Sequence, residues 1–105
     1  MLRAFLTREL AYAYDTETKS PLPGRPELAK DSLLACLGLL GIATDDEVMV
    51  VAFLGVDGVS TFYPSWELAE IVQILRDFFS DHNIIKIDFN GYYDVPIIRR
   101  HIGVV

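Results

Sequence analysis

Two short stretches of the chain place carboxylates directly after apolar segments. Asp15 and Glu17 follow the apolar segment from Leu10 to Tyr14, and Asp94 lies shortly after the segment from Ile84 to Phe89. If both segments are strands, and if they are parallel neighbours, the three acids meet at the carboxyl ends of the strands, where α/β sheets place their binding sites. Acids two residues apart on a strand also share one face of the sheet.

A cluster of three carboxylates predicts a site for divalent cations. Like charges held together repel each other, and a bound cation removes that cost. Mg²⁺ and Mn²⁺ prefer oxygen ligands, and two such ions roughly 3.5–4 Å apart can hold the attacking water and the leaving oxygen of a phosphodiester. By itself Asp-x-Glu is a weak signal, and the second stretch is what makes Asp15, Glu17 and Asp94 candidate metal ligands.

The elements that must position these acids are typical of one α/β domain. A chain of 105 residues is enough for a single core, although a hydrophobic fraction of 51% fits equally well a fragment whose apolar faces contact further protein. The expected order is β-β-β-α-β-α, with one extra short strand, in a mixed sheet. The predicted strands cover Glu9 to Tyr14, Ser32 to Ala43, Val48 to Leu54, Val59 to Tyr63 and Ile84 to Phe89; the predicted helices cover Ser65 to Phe79 and Val95 to His101.

Local signals set the ends of these elements. The leucines between Ser32 and Ala43 also fit a helix, but two glycines there favour a strand. Ser65 is a good helix N-cap residue. Because proline is tolerated in a first helical turn, Pro96 indicates that Asp94 lies near a helix N-terminus.

Composition limits the classes of protein that fit. A net charge of −6 argues against general attraction of the chain to nucleic acid, but acids neutralised by bound metal remain compatible with a nuclease. The single cysteine, Cys36, excludes an intrachain disulfide and a cysteine-based zinc site. The longest apolar run, Leu33 to Ala43, is too short to cross a bilayer, and early charged residues argue against a secretory signal. A cytoplasmic setting, in a bacterium or a phage-infected cell, is expected.

The two acidic stretches resemble the first and second motifs of a nuclease superfamily. The sequence Asp15-Thr16-Glu17-Thr18, together with Asn90-x-x-x-Asp94, resembles the DEDD superfamily of 3′–5′ exonucleases, which are DnaQ-like proteins with a ribonuclease H-like fold. The run from Phe89 to Ile98 is especially similar to proofreading exonuclease domains of phage-type family A and family B-like DNA polymerases. The resemblance covers about residues 9 to 103.

This resemblance implies a metal-dependent, proofreading-type exonuclease that hydrolyses the terminal phosphodiester of single-stranded DNA 3′ ends. It implies a two-ion Mg²⁺ or Mn²⁺ site. The catalytic and metal-ligating residues would be Asp15, Glu17 and Asp94, and the substrate-binding residues would be Thr16, Thr18, Asn90 and Tyr93.

The family has a third motif that this sequence does not contain. That motif supplies a fourth acid preceded by a tyrosine or histidine, and His101 does not replace it because no acid follows before Val105. The resemblance therefore implies a ribonuclease H-like domain that is C-terminally incomplete, with its last strand at a sheet edge. The partner would be a polymerase domain or the missing C-terminal part. Two alternatives stay open: a non-catalytic nucleic-acid-binding or scaffold module, including a fragment of a DNA polymerase, and an exonuclease of the same fold that acts on RNA.

Overall fold

A four-stranded mixed sheet, with helices packed on one of its faces, carries the acidic stretches. The computed structural model describes residues 1–55 and 60–103. The strands lie in the order β3-β2-β1-β4, with β1 antiparallel to β2, β2 antiparallel to β3, and β1 parallel to β4. The elements are α1 (Leu2–Phe5), β1 (Ala11–Lys19), a 3₁₀ helix (Pro26–Lys30), β2 (Cys36–Ala43), β3 (Val48–Ala52), α2 (Ser65–Ser80), β4 (Ile85–Ile87) and α3 (Gly91–Ile102).

The predicted fold class is confirmed: the chain has a ribonuclease H-like mixed sheet with the order β-β-β-α-β-α, preceded by the short helix α1. The predicted end of the first strand was wrong, because β1 continues to Lys19 and contains Asp15 and Glu17. Thr16 and Thr18 are β-branched, and they pair with Leu40 and Leu37 of β2, so the ladder runs through the acidic stretch.

Strands β2 and β3 form an antiparallel hairpin, and β2 begins at Cys36, later than the predicted start at Ser32. Gly38 is needed where β2 passes β1, because a Cβ atom there would lie 3.2 Å from the Glu17 carbonyl oxygen. The short strand predicted for Val59 to Tyr63 begins outside the described residues. Within the described part, Thr61 makes an isolated antiparallel bridge to Leu54.

Both predicted helices form, with corrections at their N-termini. Pro64 occupies the N-cap of α2, so the prediction that Ser65 caps this helix was wrong. Helix α3 begins at Gly91, so Pro96 lies inside the helix and not in its first turn. Because proline has no backbone N–H, Pro96 cannot donate a hydrogen bond to the carbonyl oxygen four residues earlier in the helix. The other residues of α3 maintain the helix around this missing bond. Asp94 lies in the first turn of α3, as predicted.

The two faces of the sheet differ in burial. Residues of one face, including Tyr12, Leu40 and Ile42, form the core with α2 and α3. Residues of the other face are exposed, as Val48 and Val50 are on β3. Within the described ranges, no helix is long and apolar enough to cross a membrane.

The hydroxyl of Tyr12 joins the N-terminal segment to the sheet. It donates to the Phe5 carbonyl oxygen at 2.6 Å and accepts from the backbone N–H groups of Arg8 and Glu9 at 3.1 and 3.0 Å. The ring also packs edge-on against Phe78 of α2, with centroids 5.3 Å apart. Tyr12 therefore holds α1, β1 and α2 together.

We expect Tyr12→Phe to lower the free energy of unfolding by about 1–3 kcal/mol, because buried backbone groups lose their partner. Urea denaturation followed by circular dichroism measures the change. Tyr92→Phe is the matched control, since Tyr92 is 99% exposed. Equal stability of the two variants would contradict this role of Tyr12.

Candidate functional site

The candidate site lies at the carboxyl end of β4, where the parallel pairing of β4 with β1 ends while β1 itself continues to Lys19. The two strands are parallel neighbours, which is the condition that the sequence argument required, with Ala11 beside Ile85 and Ala13 beside Ile87. In this register Tyr14 and Asp88 are the next residues along the two strands. Helix α3 starts three residues after Asp88 and brings Asp94 to the same edge.

Asp94 is a buried carboxylate with one anchored oxygen. The side chain is 1% exposed, and its Oδ1 accepts a hydrogen bond from the Thr16 hydroxyl at 2.5 Å. Its Oδ2 is buried and has no hydrogen-bond partner among the described residues. The hydrogen bond to Thr16 fixes α3 against β1, and it leaves the second oxygen available to a ligand.

Asp88 is a second carboxylate beside Asp94, and the sequence reasoning missed it. Its Oδ1 accepts from the Asn90 backbone N–H at 3.1 Å, and its Oδ2 is buried without a partner in the part of the chain that the structure describes. The Tyr14 hydroxyl hydrogen-bonds to Asp88; burial, and then the charge of Asp88, raise the pKa of Tyr14 to about 12. The position of Asp88 at a strand end, two residues before Asn90, was the available signal.

The electrostatics of the site favour a neutral Asp94 in the absence of a cation. Burial first, and then a hydrogen bond with Asp88 and the charges of Asp88 and Asp15, raise the pKa of Asp94 to about 7. The hydrogen bond from Thr16 acts in the opposite direction. A divalent cation would reverse this balance, because it stabilises the charged form.

Asp15 and Glu17 lie on the face of β1 opposite to Thr16. Both are exposed, whereas Thr16 between them is buried against α3. The charge of Asp15 still influences Asp94. Among the residues in ranges 1–55 and 60–103, no three histidine, cysteine, aspartate or glutamate side chains converge as a metal-binding group. The structure thus brings Asp88 and Asp94 together, with Asp15 nearby and Glu17 apart.

The carboxylate oxygens at this edge of the sheet are suitable ligands for a hard divalent cation. Two buried carboxylate oxygens without partners are costly groups, and a divalent ion satisfies such oxygens. The metal site built from Asp15, Glu17 and Asp94 nevertheless stays a prediction.

The predicted substrate-binding residues have different surroundings. The Tyr93 hydroxyl contacts the Thr18 hydroxyl at 2.5 Å, and both bond to the Ala29 carbonyl oxygen. These contacts fasten the 3₁₀ helix to β1 and α3, so Thr18 and Tyr93 already have partners within the protein. Asn90 occupies the N-cap of α3, is exposed, and makes no side-chain capping bond in the described structure, which leaves its amide accessible. The prediction that these residues bind substrate stays untested.

An open cleft adjoins the acids. It has a volume of about 450 Å³, and Asp15, Gly41, Asp88, Phe89 and Asn90 are among the residues that line it. The Phe89 side chain is 97% exposed at this cleft. An exposed aromatic ring beside a polar cleft can stack on a base or another flat group.

Comparisons with known proteins identify the fold. The structure matches the crystal structure of the Aedes aegypti Nibbler EXO domain with a TM-score of 0.63 over 99% of this chain, at 17% sequence identity. The chain spans 41% of the length of that protein chain. No family model matches the sequence, and no curated protein matches it. The protein therefore has the fold of an exonuclease domain.

The raised pKa of Asp94 predicts how the stability of the cation-free protein depends on pH. Between its ordinary value of 3.8 and about 7, the folded state binds more protons than the unfolded state, so stability falls as pH rises through that window. The slope is at most about 1.4 kcal/mol per pH unit. Asp94→Asn removes the titration and flattens the curve.

Urea denaturation in the presence of a chelator, at intervals across this window, measures the effect. Asp45→Asn, at an exposed turn acid, is the control. If Asp94→Asn and the unmodified protein give parallel curves, the burial argument for Asp94 is wrong.

Proposed function

We propose that this protein acts as a metal-dependent 3′–5′ exonuclease on the ends of single-stranded DNA, with Asp15, Glu17 and Asp94 as metal ligands. The observation that carries the proposal is the unpartnered Oδ2 of Asp94, which lies beside β1 at the carboxyl edge of an exonuclease-like fold. When bound, the ions would lower the pKa of the attacking water and stabilise the leaving oxygen.

The residues around the acids suit the handling of a strand end. The Thr16 hydroxyl orients the Asp94 carboxylate. The accessible amide of Asn90 can bond to the sugar-phosphate backbone of the last nucleotide. The proofreading type, the preference for DNA and association with a polymerase domain rest on the run from Phe89 to Ile98, and they belong to the proposal.

A second function, nucleic-acid binding without catalysis, is favoured by one observation. In the described part of the chain, Glu17 does not converge with Asp94, and no group of three ligands forms. Exposed rings at Phe89 and Tyr92, which are 97% and 99% exposed, could instead hold a single strand by stacking on its bases. Such a module would bind strand ends and leave them intact.

The exonuclease proposal predicts stepwise shortening of a 5′-labelled single-stranded DNA oligonucleotide in the presence of Mn²⁺. Asp15→Ala is expected to lower the rate by about two orders of magnitude or more, because removal of a direct ligand costs more than loss of an outer partner. Since Asp15 is exposed, the variant should fold normally. Denaturing electrophoresis measures the products.

Asp45→Ala, at another exposed acid, is the control and should be as active as the unmodified protein. An RNA oligonucleotide of the same sequence tests the choice of substrate, and faster shortening of the RNA would favour the RNA-directed alternative. Equal rates for the unmodified protein and Asp15→Ala would contradict the proposal.

If the Phe89 ring stacks on a base of single-stranded DNA, Phe89→Ala should weaken the binding of that DNA by about 1–3 kcal/mol. Fluorescence anisotropy in chelator measures affinity without degradation. Phe62→Ala is the control, because Phe62 is also exposed, at 58%, and does not line the cleft. An equal loss in both variants would exclude a specific platform at Phe89.

A further inference from the structure

Asp88 lies outside both acidic motifs, yet its carboxyl group is adjacent to Asp94. Strand β4 runs parallel to β1, and the last residue of β4, Ile87, pairs with Ala13. The next residue, Asp88, meets the Tyr14 hydroxyl and interacts with the Asp94 carboxyl group. It also lines the cleft beside Asp15 and Asn90.

Both carboxyl groups are held in the same manner. One oxygen of each is anchored by the protein: Oδ1 of Asp88 by the Asn90 N–H at 3.1 Å, and Oδ1 of Asp94 by the Thr16 hydroxyl at 2.5 Å. The other oxygen of each is buried, and no group of the described residues donates a hydrogen bond to it while both carboxyl groups are ionised. Asp94 is 1% exposed, so this oxygen has lost its hydration, and a hydrogen bond between the Asp94 and Asp88 carboxyl groups requires a proton on one of them.

A single divalent cation would satisfy both free oxygens. Mg²⁺ is commonly bound by one or two carboxylates, with waters and substrate phosphates completing its shell. Two anchored carboxylates beside an open cleft resemble that arrangement. They do not resemble a closed cage in which every ligand comes from the protein. The Tyr14 hydroxyl and the Asn90 N–H would be the outer partners that orient the Asp88 ligand.

We propose that Asp88 is an additional ligand for the hard divalent cation, which it holds together with Asp94. This inference rests on the proposed function, because it assumes that Asp94 binds a cation. It adds a carboxylate from the end of β4 to those of Asp15 and Glu17, and it makes the strand end, as well as the helix, part of the metal site. The ion then lies between β4 and α3, next to the accessible amide of Asn90.

Binding of Mn²⁺, measured by the electron paramagnetic resonance signal of the free ion, tests the proposal without a nuclease assay. The unmodified protein should bind Mn²⁺, and Asp88→Asn should weaken binding at least about tenfold. Asparagine is close in size to aspartate and retains the oxygen that accepts from the Asn90 N–H. Asp45→Asn, at an exposed acid, is the control and should bind as the unmodified protein does.

The outcomes separate this inference from the proposed function. If Asp94→Asn loses Mn²⁺ and Asp88→Asn binds normally, Asp88 is not a ligand, while the proposed function survives. If the unmodified protein does not bind Mn²⁺ at millimolar concentrations, both fail. Circular dichroism checks the fold of each variant. Asp88→Glu keeps a carboxylate and should bind Mn²⁺ more tightly than Asp88→Asn; equal weakening in both would count against direct ligation by Asp88.

Discussion

The parallel pairing of β1 with β4 is the constraint on which the rest of the site depends. Three residue pairs are enough to fix the register, and this register puts Tyr14 beside Asp88 just after the last β1–β4 pair, while β1 stays paired with β2 as far as Lys19. Helix α3 follows at once, and the hydrogen bond between Thr16 and Asp94 locks it against β1. Without this pairing, Asp88 and Asp94 would not be held beside β1.

The same edge concentrates an electrostatic cost that the remainder of the protein avoids. Most charged side chains are exposed, and the described ion pairs lie on the surface, where they contribute little to stability. Asp88 and Asp94 instead place two carboxyl groups side by side with an unpartnered oxygen on each. A partly satisfied buried polar group lowers stability, so these two carboxyl groups cost free energy in the cation-free protein.

The sequence was sufficient to predict the strands and helices, but it did not predict for every element which residues would lie on which face. The apolar pattern predicted the strands and helix α2, because those depend on local periodicity. It also predicted that Asp15 and Glu17 share a face. The side of β1 on which Asp94 would lie depends on how α3 packs, and the role of Asp88 depends on the register between strands distant in sequence. Such non-local pairings cannot be obtained from one sequence, and Pro96 misled the start of α3 because proline inside a helix is uncommon.

Strand β4 is both the shortest strand and an outer one. It shares three residue pairs with β1, whereas β1 and β2 share seven, and Ile85 and Ile87 are exposed on it. Segments with few such contacts open at a lower free energy than the body of a protein, so amide hydrogens there exchange with solvent sooner. If a cation binds between β4 and α3 as proposed, detachment of β4 would release it, and occupancy of the site would be linked to local unfolding of one edge. Cation binding and the rigidity of this edge would then be two measures of the same equilibrium.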